Sequence, residues 1–187
     1  MVISYMKKNL EIIFVRHGQS YGNVTFENQP AFDTEDPPLT EEGLKQAELL
    51  SKRFGRGDID RIFSSTLIRA VQTAKPTAEK LSLKIQLVSD LVEVGTKTVG
   101  TDHETPVQSF ERAQKCLDYI FSVCNDNERV LVVSHGTFLG YLIRCALGLG
   151  AQPTFRLQED NCAITHIAFF EDDTPKLKYA NDTFHLL

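Results

Sequence analysis

Hydrophobic and polar residues follow two rhythms along this chain. Leu10 to Val15 (LEIIFV) is a nearly continuous apolar run that stops at Arg16-His17-Gly18, and Arg129 to Ser134 (RVLVVS) repeats the form and stops at His135-Gly136. Apolar runs without alternation mark strands buried on both faces. Open α/β sheets place their ligand crevice beyond the carboxyl ends of such strands. Two strands that each deliver a His-Gly pair to that edge form the most informative pattern in the sequence.

Between and after these strands the rhythm becomes helical. Thr40 predicts a capped helix with Glu41 and Glu42 in its positive first turn and an apolar stripe of Leu44, Ala47, Leu50 and Phe54, ending near Gly55 and Gly57. Ile59 to Ser64 predicts a short strand. A helix follows over Leu67 to Leu81, with Val71, Ala74, Ala78 and Leu81 inward and Pro76 marking a kink or break. Lys84 to Val88 alternates as a strand does, and Ser89 to Pro106 has no period and reads as loop. Phe110, Ala113, Leu117, Ile120 and Phe121 mark a helix beginning near Thr105, and Phe138 to Leu147 another. Ala163 to Phe170 and Leu177 to Tyr179 predict strands joined through the turn-rich Glu171-Asp172-Asp173-Thr174-Pro175. The alternation specifies an α/β protein, a three-layer α/β/α sandwich whose mostly parallel sheet is mixed because the last two strands pair as a hairpin.

Composition narrows this picture. The 187 residues are 42% hydrophobic and 24% charged, which fits one globular domain over residues 1–187 and excludes a coiled-coil, collagenous or disordered chain. A chain of this size buries roughly 70% of its unfolded surface, so folding is expected not to depend on a metal, cofactor or disulfide. The net charge of −5 is a poor field for nucleic acid or anionic lipid. No apolar run approaches the ~18 residues of a membrane span, and the protein is read as soluble and cytoplasmic. Cys116, Cys124, Cys145 and Cys162 have no paired spacing. If one helix holds Cys116 and Cys124, about 12 Å of rise separates them, beyond the ~7 Å a bridge allows, and free thiols are expected.

The strand ends supply Arg16, His17, His135 and the amides of Gly18 and Gly136, with Arg69 at the start of a helix. Two planar guanidinium groups and a helix N-terminus after Gly136 suit a phosphoryl group. Imidazole is a competent covalent nucleophile. The two histidines have no third ligand at a recognised spacing, and adjacent arginines oppose a cation, so no metal is expected.

Arg16-His17-Gly18-Gln19-Ser20-Tyr21-Gly22-Asn23 resembles the RHG signature of the histidine phosphatase superfamily, the phosphoglycerate mutase-like proteins. The resemblance continues through Leu39-Thr40-Glu41-Glu42-Gly43, through Ser64-Ser65-Thr66-Leu67 with Arg69-Ala70 and Gln72-Thr73-Ala74, and through Leu91-Val92-Glu93. It ends with Val133-Ser134-His135-Gly136 and Asn181-Asp182-Thr183-Phe184-His185-Leu186, so it covers almost the whole chain in order. It implies a phosphoglycerate mutase-like fold and a metal-independent phosphomonoester phosphatase that uses no cofactor and acts on a small phosphorylated substrate. His17 would be the nucleophile. Arg16, Arg69 and His135 would neutralise the transferring phosphoryl oxygens, with Asn23 and the Gly136 amide as helpers. Glu93 would be the acid and then the base, with Asp90 and Glu104 as competitors for that place. His103, His166 and His185 read as structural, a loop, a strand and a terminal contact residue, and of the three only His103 is worth testing as a substrate contact.

The chain departs from many relatives after Glu93, where Gly95-Thr96-Lys97-Thr98-Val99-Gly100 replaces an aromatic-rich segment and only Thr96 to Thr105 stands where a longer insert is common. With Gly95 and Gly100 in it, this stretch is expected to be mobile and the pocket open on one side. Open access to water favours a phosphatase over the alternative of a phosphoglycerate mutase-type phosphotransferase. A non-catalytic phospho-ligand-binding module is a further alternative, against which Glu93 stands, since holding phosphate requires no proton donor.

Overall fold

The computed structural model describes residues 8–24, 36–97, 100–151, 157–171 and 173–187. Six strands form one sheet: β1 (Leu10–Arg16), β2 (Arg61–Ser64), β3 (Ile85–Leu87), β4 (Glu128–Ser134), β5 (Ile164–Phe170) and β6 (Asp173–Asp182). Their order is β3-β2-β4-β1-β5-β6. β1 and β4 run parallel at the centre, β2 and β3 continue the parallel part, and β5 and β6 are antiparallel, giving the mixed sheet that the sequence predicts.

Four helices cover the sheet: α1 (Glu41–Lys52), α2 (Ile68–Leu81), α3 (Pro106–Val123) and α4 (Gly136–Ala146). Ile13 and Val15 of β1, with Leu131 and Val133 of β4, pack against Leu50 of α1 and Ala70, Ala74 and Ala78 of α2. Leu10, Ile12 and Phe14, with Val130 and Val132, pack against Leu117 and Ile120 of α3 and Leu139 and Leu142 of α4. Each central strand is therefore apolar on both faces, which is why its run in the sequence does not alternate.

Register positions the functional edge. Arg16 pairs with Ser134, and the His17 amide extends the ladder to the Ser134 carbonyl at 2.9 Å. The two histidines thus leave adjacent strands at the same level.

Helix starts follow local chemistry. The Thr40 side chain accepts from the Gly43 amide in α1, and Thr105 and Gln108 form a reciprocal capping box on α3 with Pro106 in its first turn. Gly43 cannot carry a side chain, since a Cβ there would lie 1.9 Å from the Gln19 carbonyl oxygen.

Several elements differ from the sequence prediction. Leu44 is 47% exposed, and Gly43 takes the inward place with Ala47 and Leu50, because the chain end of β1 lies too close for a larger residue. α2 runs unbroken through Pro76, whose missing N–H costs one helical bond while Ala70, Thr73, Ala74, Thr77 and Ala78 remain buried. Val71 and Leu81 are only half-buried. β2 begins at Arg61 and β3 keeps three residues at the sheet edge. β6 is longer than Leu177 to Tyr179 and begins within the expected turn, at Asp173; its irregular register against β5 disrupts the alternation that would mark it. Asp172 lies outside the described residues. The four cysteines are free and buried, and Cys124 caps α3 instead of lying within it.

Candidate active site

His17 is 3% exposed. Its Nδ1 lies 2.7 Å from the carbonyl oxygen of Gly18, and since a carbonyl only accepts, Nδ1 carries the proton and Nε2 the lone pair. Burial pushes the His17 pKa down to about 3, the Gly18 hydrogen bond opposes this, and the nearby charges of Arg69 and Arg16 add to it. The ring is neutral across the physiological range. Gly18 is fastened in turn by its amide, which donates to Thr73 Oγ1 at 2.9 Å.

His135 faces His17, with ring centroids 5.1 Å apart. Its Nε2 is 2.8 Å from Ser65 Oγ, and its buried Nδ1 has no hydrogen-bond partner among the described residues. Burial, followed by the charges of His17, Arg69 and Arg16, lowers its pKa well below that of a free histidine.

Arg16 and Arg69 are desolvated, which lowers the pKa of both; the charge of Glu93 acts in the opposite direction on each. Arg16 donates through Nη1 to the Glu159 carbonyl at 2.8 Å, while its buried Nε has no hydrogen-bond partner among the described residues. Arg69 is 8% exposed and is steadied by Asp36 at 3.3 Å. Asp36 also accepts from the Ile68 amide at the start of α2. Two crowded guanidinium groups with an orphaned buried donor are costly to hold without an anion, and a dianionic phosphoryl group answers them both.

Glu93 lies across the start of α4. Its Oε1 accepts from the amides of Val94 and Phe138, each at 2.9 Å, and its Oε2 from Thr137 at 3.1 Å. This corrects one expectation: the amides of Thr137 and Phe138 are taken by Glu93 and are not open to phosphate. Gly136 packs closely on Arg16: a Cβ there would meet Arg16 Nε at 3.2 Å, so the guanidinium would have to give by a few tenths of an ångström. A cavity of about 580 Å³ has Arg16, Glu93 and Gly136 in its wall, while the buried His17, Arg69 and His135 do not line it.

The competing carboxyls are elsewhere. Glu104 is locked to Arg112 by two 2.7 Å bonds, and Asp90 is exposed. Arg112 also donates to the carbonyls of Asp90 and Val92 and stacks 3.7 Å from the Phe138 ring centroid, so this pair supports the strand of chain that carries Glu93. Asn23 is exposed and is a turn residue: its Oδ1 accepts from Ser20 and from Asn161 Nδ2. Asn161 reaches on to the His17 carbonyl at 3.1 Å. The His103 side chain is 93% exposed beside Asp102. His166 pairs with Glu11 at 2.7 Å, away from the site.

The stretch after Glu93, expected to be mobile, is fastened. Thr101 Oγ1 and Thr96 Oγ1 both donate to the Glu93 carbonyl, and backbone bonds join Gly95 to Thr101 and Thr101 to Thr96. Gly95 and Gly100, at φ of +86° and +74°, make the turns this closure requires. Thr98 and Val99 lie outside the described residues.

Asp36, Asn161 and Glu159 carry no motif in the sequence, and Ser65 stands in the Ser64-Leu67 motif without a sign there of its bond to His135. Asp36 and Asn161 are short polar residues beside turns, a weak signal that many loops share. Among the described residues no three His, Cys, Asp or Glu side chains gather as a metal-binding set, and no helix is long and apolar enough to cross a membrane.

Known proteins with these features agree on the family. A Yersinia pestis protein named "Probable phosphoglycerate mutase GpmB" is 28% identical, with 95% of each chain covered. The structure of a histidine-to-alanine variant of phosphoserine phosphatase from Entamoeba histolytica, in complex with phosphoserine, superposes with a TM-score of 0.75 at 25% identity, covering 95% of this chain and all of that one. A mycobacterial glucosyl-3-phosphoglycerate phosphatase shares the fold at a TM-score of 0.72 and 21% identity, with 94% and 100% covered. The family described as histidine phosphatase superfamily (branch 1) matches residues 12–99 and 95–183, and this chain, with its paired His-Gly strand ends and the desolvated Arg16 and Arg69 beside them, belongs to it.

Proposed function

We propose that this chain, as one domain over residues 1–187, is a metal-independent phosphomonoester phosphatase that acts on small phosphorylated metabolites through a phosphohistidine on His17. The observation that carries this reading is the tautomer of His17: with Nδ1 tied to Gly18, a neutral Nε2 is available between two arginines. Nε2 attacks phosphorus and the ester P–O bond breaks. Glu93 gives its proton to the leaving oxygen. Water then attacks phosphorus, the P–N bond breaks, and Glu93 takes the water proton back. Arg16, Arg69 and His135 stabilise the charge on the phosphoryl oxygens, where most of the catalytic task lies. The Gly136 amide is a further donor, while Asn23 acts by holding the turn beside His17.

Solved relatives bind phosphoserine and 3-phosphoglycerate, which supports a small substrate. Relatives named as phosphoglycerate mutases support a second reading, in which the phosphohistidine returns its group to a reoriented substrate. One experiment separates them. The protein is supplied, in EDTA, with 3-phosphoglycerate with and without a bisphosphoglycerate primer and with a panel of phosphomonoesters, while isomer and free phosphate are followed together. Phosphate release without isomerisation is the expected result. Primer-dependent isomerisation that outruns phosphate release establishes the mutase instead.

A further inference from the structure

β6 pairs irregularly with β5 at one point, where Ile164 faces Asp182 but His166 faces Tyr179. Thr165 of β5 therefore stands opposite both Ala180 and Asn181 of β6, which makes a β-bulge. Bulges bend the strand that carries them and re-aim a side chain. Here the re-aimed residue is Asn181, at a φ of +50°, a left-handed conformation that Asn, Asp and Gly accept more readily than other residues. Asn181 opens the last of the ordered motifs, and no step of the proposed reaction uses it.

Its side chain meets the segment that leads into β5. Oδ1 accepts from the Asp160 amide at 2.7 Å, and Nδ2 donates to Asp160 Oδ2 at 2.9 Å. Only this orientation of the Asn181 amide satisfies both contacts, because an N–H donates and a carboxylate accepts. The Asp160 N–H and the Glu159 carbonyl belong to one peptide group, which is planar and rigid. That carbonyl accepts from Arg16 Nη1 at 2.8 Å. One peptide unit is thus held by Asn181 at its nitrogen and holds Arg16 at its oxygen, and each bond polarises the other. The Asn181 backbone adds a second hold: its amide donates to Thr165 Oγ1 at 3.0 Å, and that hydroxyl donates to Glu159 Oε1 at 2.9 Å.

The contact to Oδ2 also restrains a competitor. Burial lowers the pKa of Arg16, while the charges of Glu93 and Asp160 oppose this, so Asp160 lies close enough to be felt. A carboxylate free to swing onto Arg16 would take up the donors and charge that a phosphoryl group requires. With Asp160 held on Asn181, Arg16 keeps its unpartnered Nε beside Gly136 in the cavity wall.

We propose that Asn181 is a positioning residue for Arg16: it orients the Glu159–Asp160 peptide that aims the guanidinium at the phosphoryl group, and it holds the Asp160 carboxylate off that guanidinium. This rests on the reading of Arg16 as a phosphoryl ligand, so one measurement is chosen that needs no turnover. Calorimetry follows the binding of inorganic phosphate, and kinetics follow kcat/KM on p-nitrophenyl phosphate, in wild type, Asn181→Asp and Asn181→Gly. Both variants accept the positive φ. Asn181→Asp sets a carboxylate against Asp160, and Asn181→Gly removes both side-chain contacts. Each should weaken phosphate binding and lower kcat/KM by about tenfold, as loss of a hydrogen bond involving a charged group does. Asn181→Asp combined with Asp160→Asn restores the pair with donor and acceptor exchanged, and both readouts should recover to within about threefold of wild type.

A coupling cycle separates positioning from support of the fold. Added to Arg16→Ala, Asn181→Gly should cost less than about twofold more, since no guanidinium is left to aim. Added to Arg69→Ala, it should cost the full factor of about ten. Equal costs in the two backgrounds, unchanged phosphate binding in Asn181→Gly, or an exchanged pair that recovers nothing each overturn the proposal. Phosphate binding that responds as expected without any ester hydrolysis refutes the phosphatase reading alone. A wild type that binds no phosphate refutes both.

Discussion

At the end of β1 the His17 ring turns Nδ1 to the carbonyl of the next residue, whereas at the end of β4 the His135 ring turns Nε2 to Ser65 on a neighbouring strand end. The two segments have the same His-Gly sequence, and their strands lie side by side in register. What differs is the partner of the second nitrogen. A carbonyl can only accept, so it fixes the tautomer of His17; a hydroxyl donates or accepts, so His135 keeps both options. With the roles proposed above, a nucleophile and a charge stabiliser share one motif, and the hydrogen bond behind the ring separates them.

The comparison breaks most sharply at the histidines themselves. His17→Ala should lower turnover by at least about 10⁴-fold and remove the acid-labile, base-stable phosphoenzyme that rapid quenching with labelled substrate traps on wild type. His135→Ala should cost about 10² to 10³-fold, as loss of one phosphoryl-stabilising donor does, and should still yield phosphoenzyme at a slower rate. Equal losses, or a phosphoenzyme surviving in His17→Ala, would reverse the assignment.

Glu93→Gln keeps the shape but removes the proton. It should slow alkyl phosphates by about 10² to 10³-fold and p-nitrophenyl phosphate by less than about tenfold, because an aryl leaving group requires little protonation. A uniform loss in steady-state rates would show that Glu93 serves only to brace the start of α4.

Ser65→Ala sharpens the comparison on the His135 side. With Nε2 released, kcat/KM should fall by about tenfold, and Ser65→Thr should restore much of it. The amount of His17 phosphoenzyme at steady state reports whether the loss lies before or after phosphoryl transfer.

The smallest effect concerns stability. The unfolded chain protonates histidine near the ordinary 6.5, whereas folded His17 takes a proton only near 3. Below 6.5 the unfolded state therefore binds more protons, and stability falls as pH drops towards about 3, by at most about 1.4 kcal/mol per pH unit for this residue. His135 acts in the same direction. Thermal melts of His17→Asn between pH 7 and 4 should show a shallower decline than wild type, and an unchanged slope would count against a neutral His17.

Much of the fold is legible in the sequence because its signals are local. Leu10 to Val15 and Arg129 to Ser134 have to be doubly buried, since a run of six apolar side chains leaves neither face for water. Thr40 and Thr105 announce helix starts because capping involves only the next three residues. Gly43 takes the inward place of Leu44 because α1 approaches Gln19 closely, which α1 alone does not encode, and the length of β6 depends on its register shifts against β5.

Arg16, His17, Arg69, Glu93 and His135 were recognisable from their residue types, strand-end positions and ordered motifs. Their shared chemistry is a property of distance: coordinates hundreds of bonds apart along the chain set the 5.1 Å between the rings and the seating of Glu93 on α4. Asp36, Ser65 and Asn161 gained roles only through such contacts. Sequence by itself determined which strands are buried and which reactive groups end them, because burial and capping are encoded within a few residues. Tertiary structure alone decided the His17 tautomer, the seating of Glu93 on the first amides of α4 and the locking of Glu104 to Arg112, because hydrogen bonds and desolvation depend on which distant groups the packed fold brings within about 3 Å.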